Sequence, residues 1–316
     1  MKIVPRILCL AVLLLLVLSC SRGRYVSVGG YAQGGVYTVK YCTAGVSMGP
    51  SAVRDSIDAL LREIDFSVSG YNKASILSRY NAGETVTPDR HFAALQSVSR
   101  DYHELTGGAF DAASAPLFDI WGFGFTTDSL PSPEAVAAAL EECRSGRKLN
   151  FNAIAQGYSC DVVAGFLHSI GVKDMLVDIG EIYCEGLNPS GRGWSIGIDA
   201  PIDGNMSPGE NLSGIWTSDG RPCGVVTSGN YRKFYIKDGR KYSHTIDPRT
   251  GYPVTHDLLS ATVVAPTATE ADALATACMV MGPEEAKAFI LARDGVEACL
   301  ISSGGVWSSP GFTLKK

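Results

Sequence analysis

The sequence predicts an α+β or mixed α/β fold in which strands and packed helices intermix, with no evident boundary between domains. Three observations favour this class. Amphipathic helical segments dominate the first half of the chain, and short apolar segments of strand length dominate the second. The two kinds of segment do not follow the strict strand–helix–strand order of a parallel α/β sheet. The chain has 316 residues, 46% of them hydrophobic, which is enough to bury a large core.

The N-terminus resembles a bacterial lipoprotein signal. Lys2 and Arg6 flank the start of an apolar run that is too short to span a bilayer comfortably. The run ends in Val17–Cys20, which resembles a lipobox. We therefore expect removal of residues 1–19, lipidation of Cys20 with palmitate among the acyl chains, and attachment at the periplasm-facing side of the bacterial cell envelope. An ordinary signal peptide with an incidental cysteine is the alternative.

Helical periodicity and terminal residues predict the helices. In the first of them, Val53, Ile57 and Leu61 fall on one apolar stripe. Thr87 and Pro88 provide an N-cap and a first helical position for the second, which Gly107-Gly108 ends. The predicted helices cover residues 51–66, 87–107, 132–143, 154–170, 269–281 and 283–292.

Apolar and alternating segments predict the strands, most of them in the second half of the chain. Asp238-Gly239 is typical of a hairpin turn between two of them. Residues 200–221 are rich in Gly, Pro, Asn and Ser, and we expect a surface loop there. The predicted strands cover residues 37–41, 175–179, 194–198, 224–227, 232–237, 260–265 and 298–302.

Charge and cysteine content exclude several classes of protein. The net charge is −5 and no basic run is present, so we expect no nucleic-acid partner. The cysteines show neither a CxxC pair nor zinc-ligand spacing. Several lie in apolar runs, which predicts buried free thiols, while an isolated disulfide remains open in an oxidising compartment. Outside the N-terminal segment they are Cys42, Cys143, Cys160, Cys184, Cys223, Cys278 and Cys299.

Asp272 and Thr276 are spaced to lie on one face of a helix. A carboxylate and a hydroxyl at this spacing could converge on Mg²⁺, which prefers oxygen ligands. The alternative is structural, because Thr269 and Asp272 also have the spacing of a capping box at a helix N-terminus. Taken alone, this pattern favours the cap.

The segment Tyr242–Gly251 combines a base, a carboxylate and a guanidinium. His244 could move a proton near neutral pH, and Arg249 could pair with a phosphate. The structural alternative for Asp247–Gly251 is a turn. Thr227–Asn230 and Asp178–Glu181 follow apolar runs and could contact phosphate and ribose, respectively, although an ordinary strand exit explains each alone. No G-x-S-x-G elbow supports a serine hydrolase.

Several short motifs follow one another along most of the chain, and together they resemble those of the ApbE family, the FAD:protein FMN transferases. The order and number of these motifs make the resemblance specific, although no single motif does. They are Ser69–Ser75, Gly107–Asp111, Trp121–Gly124, Ala153–Tyr158 with Asp161, Asp178–Glu181, Thr227–Tyr231, His244–Gly251 and Ala271–Thr276.

The resemblance implies a compact α+β unit related to T-fold proteins over residues 20–316, with FAD as substrate and Mg²⁺ as cofactor. The implied metal ligands are the Ala153 carbonyl, Asp272 and Thr276, with Ala275 adjacent. His244 is implied to accept a proton and Asp247 to orient it. The implied contacts to the nucleotide and flavin are Tyr71, Ala109, Phe110, Asp111, Asn150, Gln156 and Ile246, together with Glu181, Thr227 and Ser228.

The implied reaction transfers FMN from FAD to a Thr or Ser hydroxyl of an acceptor flavoprotein, releasing AMP. The implied acceptors are subunits of redox-pump or electron-transport systems. An FAD pyrophosphatase or a non-catalytic FAD-binding lipoprotein are the alternatives. The chain departs from the family pattern at Gln33, where the family has Met, at Gln156, where many members have Lys, and at Ile179–Glu181, where the family has Gly-Gly-Asp.

Overall fold

The computed structural model describes residues 23–123, 130–202, 205, 209–231, 234–237 and 240–315. The predicted signal peptide, Cys20, Gly124 and the Asp238-Gly239 turn lie outside the described residues. Within the described part of the chain, no helix is both long and apolar enough to cross a membrane.

An antiparallel sheet of eight strands forms the centre of the fold. Its strand order is β1-β2-β3-β4-β7-β10-β11-β12, and every neighbouring pair is antiparallel. The pairs β5-β6 and β8-β9 form two separate ribbons. In chain order the strands are β1 Tyr25–Ala32, β2 Gly35–Cys42, β3 Met175–Asp178, β4 Ile182–Glu185, β5 Ser195–Asp199, β6 Leu212–Thr217, β7 Cys223–Gly229, β8 Phe234–Lys237, β9 Arg240–Ser243, β10 Leu258–Ala265, β11 Glu297–Ser302 and β12 Gly305–Ser308.

Helices cover one face of this sheet and the β5-β6 ribbon covers the other. The predicted α+β class is therefore confirmed. A 3₁₀ turn, Ala112–Ser114, directly precedes the short helix that begins at Ala115. The helices are α1 Pro50–Val68, α2 Ile76–Asn81, α3 Arg90–Leu105, α4 Ala115–Ile120, α5 Pro133–Arg144, α6 Ala155–Ser169, α7 Ala268–Met281 and α8 Pro283–Leu291.

Helix α7 is buried along almost its whole length between the sheet and α6. Its small side chains allow this close packing, and Ala271, Ala273 and Ala277 are completely buried. Helix α6 lies against the start of α7 at Gly157, where a Cβ would lie 2.2 Å from the Ala268 carbonyl oxygen. A side chain at residue 157 would therefore force the two helices apart.

The sequence predictions of the N-cap of α3 and of a loop at residues 200–221 are wrong. The N-cap of α3 is Asp89 rather than Thr87, because the Asp89 carboxylate accepts hydrogen bonds from the backbone N–H groups of His91 and Phe92. A charged acceptor that satisfies two free N–H groups is a stronger cap than a hydroxyl. The segment 200–221 is not entirely loop, since it contains β6, which pairs with β5 and buries Trp216 against the sheet.

The other predicted helices and strands are present among the described residues, with ends shifted by a few residues, while residues 232 and 233 of one predicted strand lie outside them. Ser132 caps α5 as expected, accepting a hydrogen bond from the Ala135 N–H. Five elements have no clear signal in the sequence because they are short or rich in Gly and Ser: β1, β4, β12, α2 and α4. All seven cysteines of the described chain are buried free thiols, as predicted.

Candidate functional site

A cavity of about 700 Å³ lies where the ends of β7, the segment after β9 and helix α7 meet the loops between α1 and α6. It is lined mainly by two distant parts of the chain, residues 70–153 and 227–280, together with Glu181. Cavities of this size accommodate a small molecule or cofactor. Most of the predicted site residues line it: Tyr71, Ala109, Phe110, Asp111, Asn150, Ala153, Glu181, Thr227, Ser228, His244, Ile246, Asp272 and Thr276.

Three predicted site residues are not among the described residues that line the cavity. Gln156 donates a hydrogen bond from Nε2 to the Ile179 carbonyl, 3.1 Å away. Asp247 is held by Arg249, and Ala275 is completely buried on α7. Their roles in substrate or metal binding stay predictions.

Asp272 is a buried acid at the cavity wall. Its side chain is 5% exposed, and its Oδ2 accepts a hydrogen bond of 2.9 Å from the backbone N–H of Gly157. Burial raises the pKa of Asp272 to about 7, since a charged carboxylate loses its hydration there. A carboxylate in this position would gain stability from a cation in the cavity.

The capping-box interpretation of Asp272 is wrong. The N-cap of α7 is Thr267, whose hydroxyl accepts a hydrogen bond from the Glu270 N–H. A carboxylate does stabilise this helix terminus, but it belongs to Asp161 of α6. Asp161 accepts hydrogen bonds from the N–H groups of Ala268 and Thr269, at 2.9 and 2.8 Å.

The two helices therefore cap each other. Asp161 of α6 satisfies the first N–H groups of α7, while Asp272 of α7 satisfies the N–H of Gly157 in the first turn of α6. Helix α6 has no side-chain cap from its own N-cap residue, Ile154. Both carboxylates lie at the positive end of the partner helix, where negative charge is favoured.

The predicted metal ligands fit a hard cation. Asp272, Thr276 and Ala153 all line the cavity and offer a carboxylate, a hydroxyl and a backbone carbonyl, which are the oxygen donors that Mg²⁺ prefers. Among the described residues there is no group of three or more His, Cys, Asp or Glu side chains arranged for a metal. The predicted set contains one such side chain, so this result does not test it, and the Mg²⁺ site stays a prediction.

His244 lines the cavity from the segment that directly follows β9. Its ring is partly buried and makes an edge-on contact with Phe123, with ring centroids 6.3 Å apart. The residues on either side of it, Ser243 and Thr245, are buried, and both donate hydroxyl hydrogen bonds to Asn230.

The structural interpretation of Asp247–Gly251 as a turn is confirmed. The Gly251 N–H donates to the Asp247 carbonyl at 2.7 Å, and Gly251 has φ = 82°, which glycine adopts without strain. Arg249 donates to both Asp247 carboxylate oxygens and to Glu285 of α8. These hydrogen bonds raise the pKa of Arg249 further above its usual value and anchor the turn to α8.

The predicted flavin-contact residues form the wall of the cavity near the 3₁₀ turn. Ala109 and Phe110 are almost completely buried, whereas Tyr71 is 68% exposed at the rim. Asp111 caps the 3₁₀ turn by accepting a 2.8 Å hydrogen bond from the Ala113 N–H, and burial raises its pKa. The Asn150 N–H donates to the Ala112 carbonyl and fixes the neighbouring loop.

The structure places at the site several residues for which the sequence predicts no role. Lys73, Arg79 and Lys148 line the cavity, where Arg79 pairs with Glu84 and Lys148 pairs with Glu142. Lys73 lies within a quoted motif, but the other two are in polar segments without a distinctive pattern. Thr227, which was expected to face a phosphate, contacts the Thr262 hydroxyl across the β7–β10 pair at 2.9 Å.

Residues 33–300 match the model of the ApbE family. The chain belongs to the ApbE family. Among its relatives is an FAD:protein FMN transferase from Haemophilus influenzae, 30% identical over 312 residues that cover 90% of this chain and 89% of the relative. The Escherichia coli (strain K12) protein of the same name is 31% identical, covering 82% of this chain and 80% of that protein.

Solved ApbE structures share the fold. The flavin transferase ApbE from Vibrio cholerae superposes with a TM-score of 0.77 at 29% identity, covering 91% of this chain and 98% of that one. The apo flavinyl transferase ApbE from Pseudomonas stutzeri gives a TM-score of 0.79 at 32% identity, with 92% and 96% covered. The resemblance inferred from the sequence motifs is thus confirmed for both family and fold.

Proposed function

We propose that this chain transfers FMN from FAD to a Thr or Ser hydroxyl of an acceptor flavoprotein. The observation that carries this function is the similarity, over most of both chains, to proteins named FAD:protein FMN transferase. The cavity supports it, because it brings a histidine, a buried carboxylate and three cationic side chains around one space of about 700 Å³.

In the proposed reaction, the acceptor hydroxyl oxygen attacks the FMN-side phosphorus of FAD. A new phosphorus–oxygen bond forms, the pyrophosphate bond breaks, and AMP leaves with the bridging oxygen. His244 accepts the proton of the attacking hydroxyl. Lys73, Arg79 and Lys148 hold the negatively charged nucleotide in place, so that positioning supplies much of the rate.

Mg²⁺ belongs to this proposal as a cofactor. Asp272, Thr276 and the Ala153 carbonyl would hold it. When bound, it neutralises charge that develops on the pyrophosphate. Asp272 is suited to this role because its carboxylate is buried beside the cavity, which raises its pKa. A bound cation would supply the stabilisation that the carboxylate loses with its hydration.

The function is tested by incubating the chain from Ser21 onward with FAD and Mg²⁺, with and without a protein domain that carries an acceptor threonine. We expect AMP release and a covalent FMN on that threonine, both dependent on the acceptor. Release of AMP and FMN without any acceptor would instead identify an FAD pyrophosphatase. Tight FAD binding without AMP under either condition would leave only a flavin-binding protein.

The acceptor and the cellular location are also proposed. We propose that the acceptors are flavoprotein subunits of redox-pump or electron-transport systems. We further propose that lipid on Cys20 holds the enzyme at the periplasm-facing side of the bacterial envelope. The lipobox-like segment Val17–Cys20 supports this location. Membrane partition of the full-length protein is the measurement that tests it.

A further inference from the structure

Asn230 holds the two residues on either side of His244. Its side chain is 8% exposed, and its Oδ1 accepts hydrogen bonds from the Ser243 hydroxyl at 2.6 Å and the Thr245 hydroxyl at 2.5 Å. The Ser243 oxygen also accepts the Thr245 N–H at 3.0 Å. These hydrogen bonds close a small network around the backbone of His244.

Asn230 is itself fixed by the central sheet. It follows β7 directly, and its N–H donates to the Leu259 carbonyl of β10 at 2.9 Å. The network therefore connects the His244 segment to the sheet rather than to the β8-β9 ribbon alone. Because a displacement of about 1 Å at a catalytic group can lower a rate a hundredfold, such a connection matters for catalysis.

We propose that Asn230 is a positioning residue, which acts through Ser243 and Thr245 to hold His244 at the acceptor hydroxyl. This inference rests on the proposed function. It predicts that Asn230 contributes to the transfer step and little to the binding of FAD.

Kinetics and hydrogen exchange test the role of Asn230. We expect Asn230→Ala to lower kcat about 10- to 100-fold while the Kd for FAD changes less than about threefold. Asn230→Asp, which keeps an acceptor oxygen for both hydroxyls, should recover part of this loss. In Asn230→Ala, amide exchange should accelerate selectively in residues 243–245. Asn205→Ala is the matched control, since Asn205 is 2% exposed and hydrogen-bonded outside the cavity.

Three outcomes would overturn this role: an unchanged kcat in Asn230→Ala, an equal loss in Asn230→Asp, or a loss of FAD affinity in parallel with kcat. If Asn230→Ala does not fold, the pair Ser243→Ala with Thr245→Val removes the same hydrogen bonds from the other side. Absence of transfer by the unmodified enzyme would contradict the proposed function instead, and hydrogen exchange would still decide whether Asn230 holds the segment.

The shortest ladder of the eight-stranded sheet lies near its middle. Strands β4 and β7 pair through three register positions, the fewest of any neighbouring pair in the eight-stranded sheet. This short ladder connects β1–β4 to the other half of the sheet, which consists of β7, β10, β11 and β12. Cys184 and Cys223 lie directly opposite each other in it, both buried, with their Sγ atoms 3.7 Å apart.

We infer that Cys184 and Cys223 are an oxidisable pair that forms a cross-strand disulfide when the chain folds in the presence of a small-molecule disulfide. The Cys184 thiolate attacks one sulfur of the oxidant and releases one thiol. The Cys223 thiolate then attacks the Cys184 sulfur and releases the second. The protein loses two electrons and two protons overall, and the oxidant becomes two thiols.

We expect oxidation to occur during folding and not in the folded state. The adjacent Cys223 thiol, and then burial, raise the pKa of Cys184, so little thiolate forms once the sheet is closed. A disulfide here links residues 39 positions apart in the chain and fastens the shortest ladder of the sheet. It should therefore raise the unfolding temperature.

The full chain refolded with oxidised glutathione tests the pair. We expect a mass about 2 Da below that of the reduced chain, one peptide linking Cys184 to Cys223, and a higher melting temperature. Cys184→Ser should abolish the link, whereas Cys299→Ser, in the same buried cluster, should keep it. Alkylation of both Cys184 and Cys223 after refolding of the unmodified chain would contradict the inference.

Discussion

Replacing His244 with alanine is expected to lower the rate of FMN transfer by about 10²- to 10⁴-fold, which is the usual contribution of a general base. This corresponds to about 3–5 kcal/mol of transition-state stabilisation. The structure supports this expectation because His244 lines the cavity and its neighbours Ser243 and Thr245 are fixed by buried hydrogen bonds. FAD binding should persist, since the charged groups that line the cavity are unchanged.

The measurement is single-turnover AMP release and covalent FMN on an acceptor domain, together with FAD titration. His168→Ala is the matched control, because His168 is half exposed, pairs with Glu185 and does not line the cavity among the described residues. His244→Gln should also be inactive, since its amide cannot accept the proton. Transfer at the normal rate in His244→Ala would remove this residue from the mechanism.

Replacing Asp272 with alanine is expected to abolish transfer and to destabilise the fold. The variant loses the only carboxylate of the predicted metal site and also leaves the Gly157 N–H without its acceptor. Loss of a helix cap of this kind costs about 0.5–2 kcal/mol. Asp272→Asn separates the two effects, because its amide oxygen can still accept the Gly157 N–H while the negative charge is lost.

Calorimetric titration with Mg²⁺ and thermal unfolding measure the two effects. Asp272→Asn should unfold close to the normal temperature but bind Mg²⁺ weakly and release no AMP. In the unmodified protein, Mg²⁺ affinity should fall below about pH 7, where Asp272 becomes protonated. Glu270→Ala, on the same helix but outside the described cavity lining, is the control. Normal Mg²⁺-dependent activity in Asp272→Asn would exclude the metal role.

The motifs alone indicate the family and many of the residues that line the cavity. They succeed because phosphate, metal and flavin contacts need particular residue types at short spacing, and these are visible in one dimension. Local periodicity likewise located α1, α6 and most central strands. It located the ends of α3 less well, because a threonine and an aspartate two residues apart are both good caps.

Long-range contacts account for the errors. Asp272 has the spacing of a local cap, yet its partner is Gly157, 115 residues away. The sequence predicts no role for Asp161, because nothing near it in the chain indicates that it stabilises the start of α7. The β6 strand was missed because its Gly- and Ser-containing sequence resembles a loop until β5 pairs with it. Tertiary pairing decides such segments more than local propensity does.

The exchange of caps between α6 and α7 also constrains how the protein can lose its structure. Neither helix start has its carboxylate partner until residues more than a hundred positions apart have met. Unravelling the first turn of one helix therefore exposes charge and free N–H groups in the other, so the two turns open together rather than fraying singly. Asp272 lines the cavity, so we expect this part of the cavity wall to open together with both helix starts. Loss of activity on heating should therefore coincide with global melting instead of preceding it.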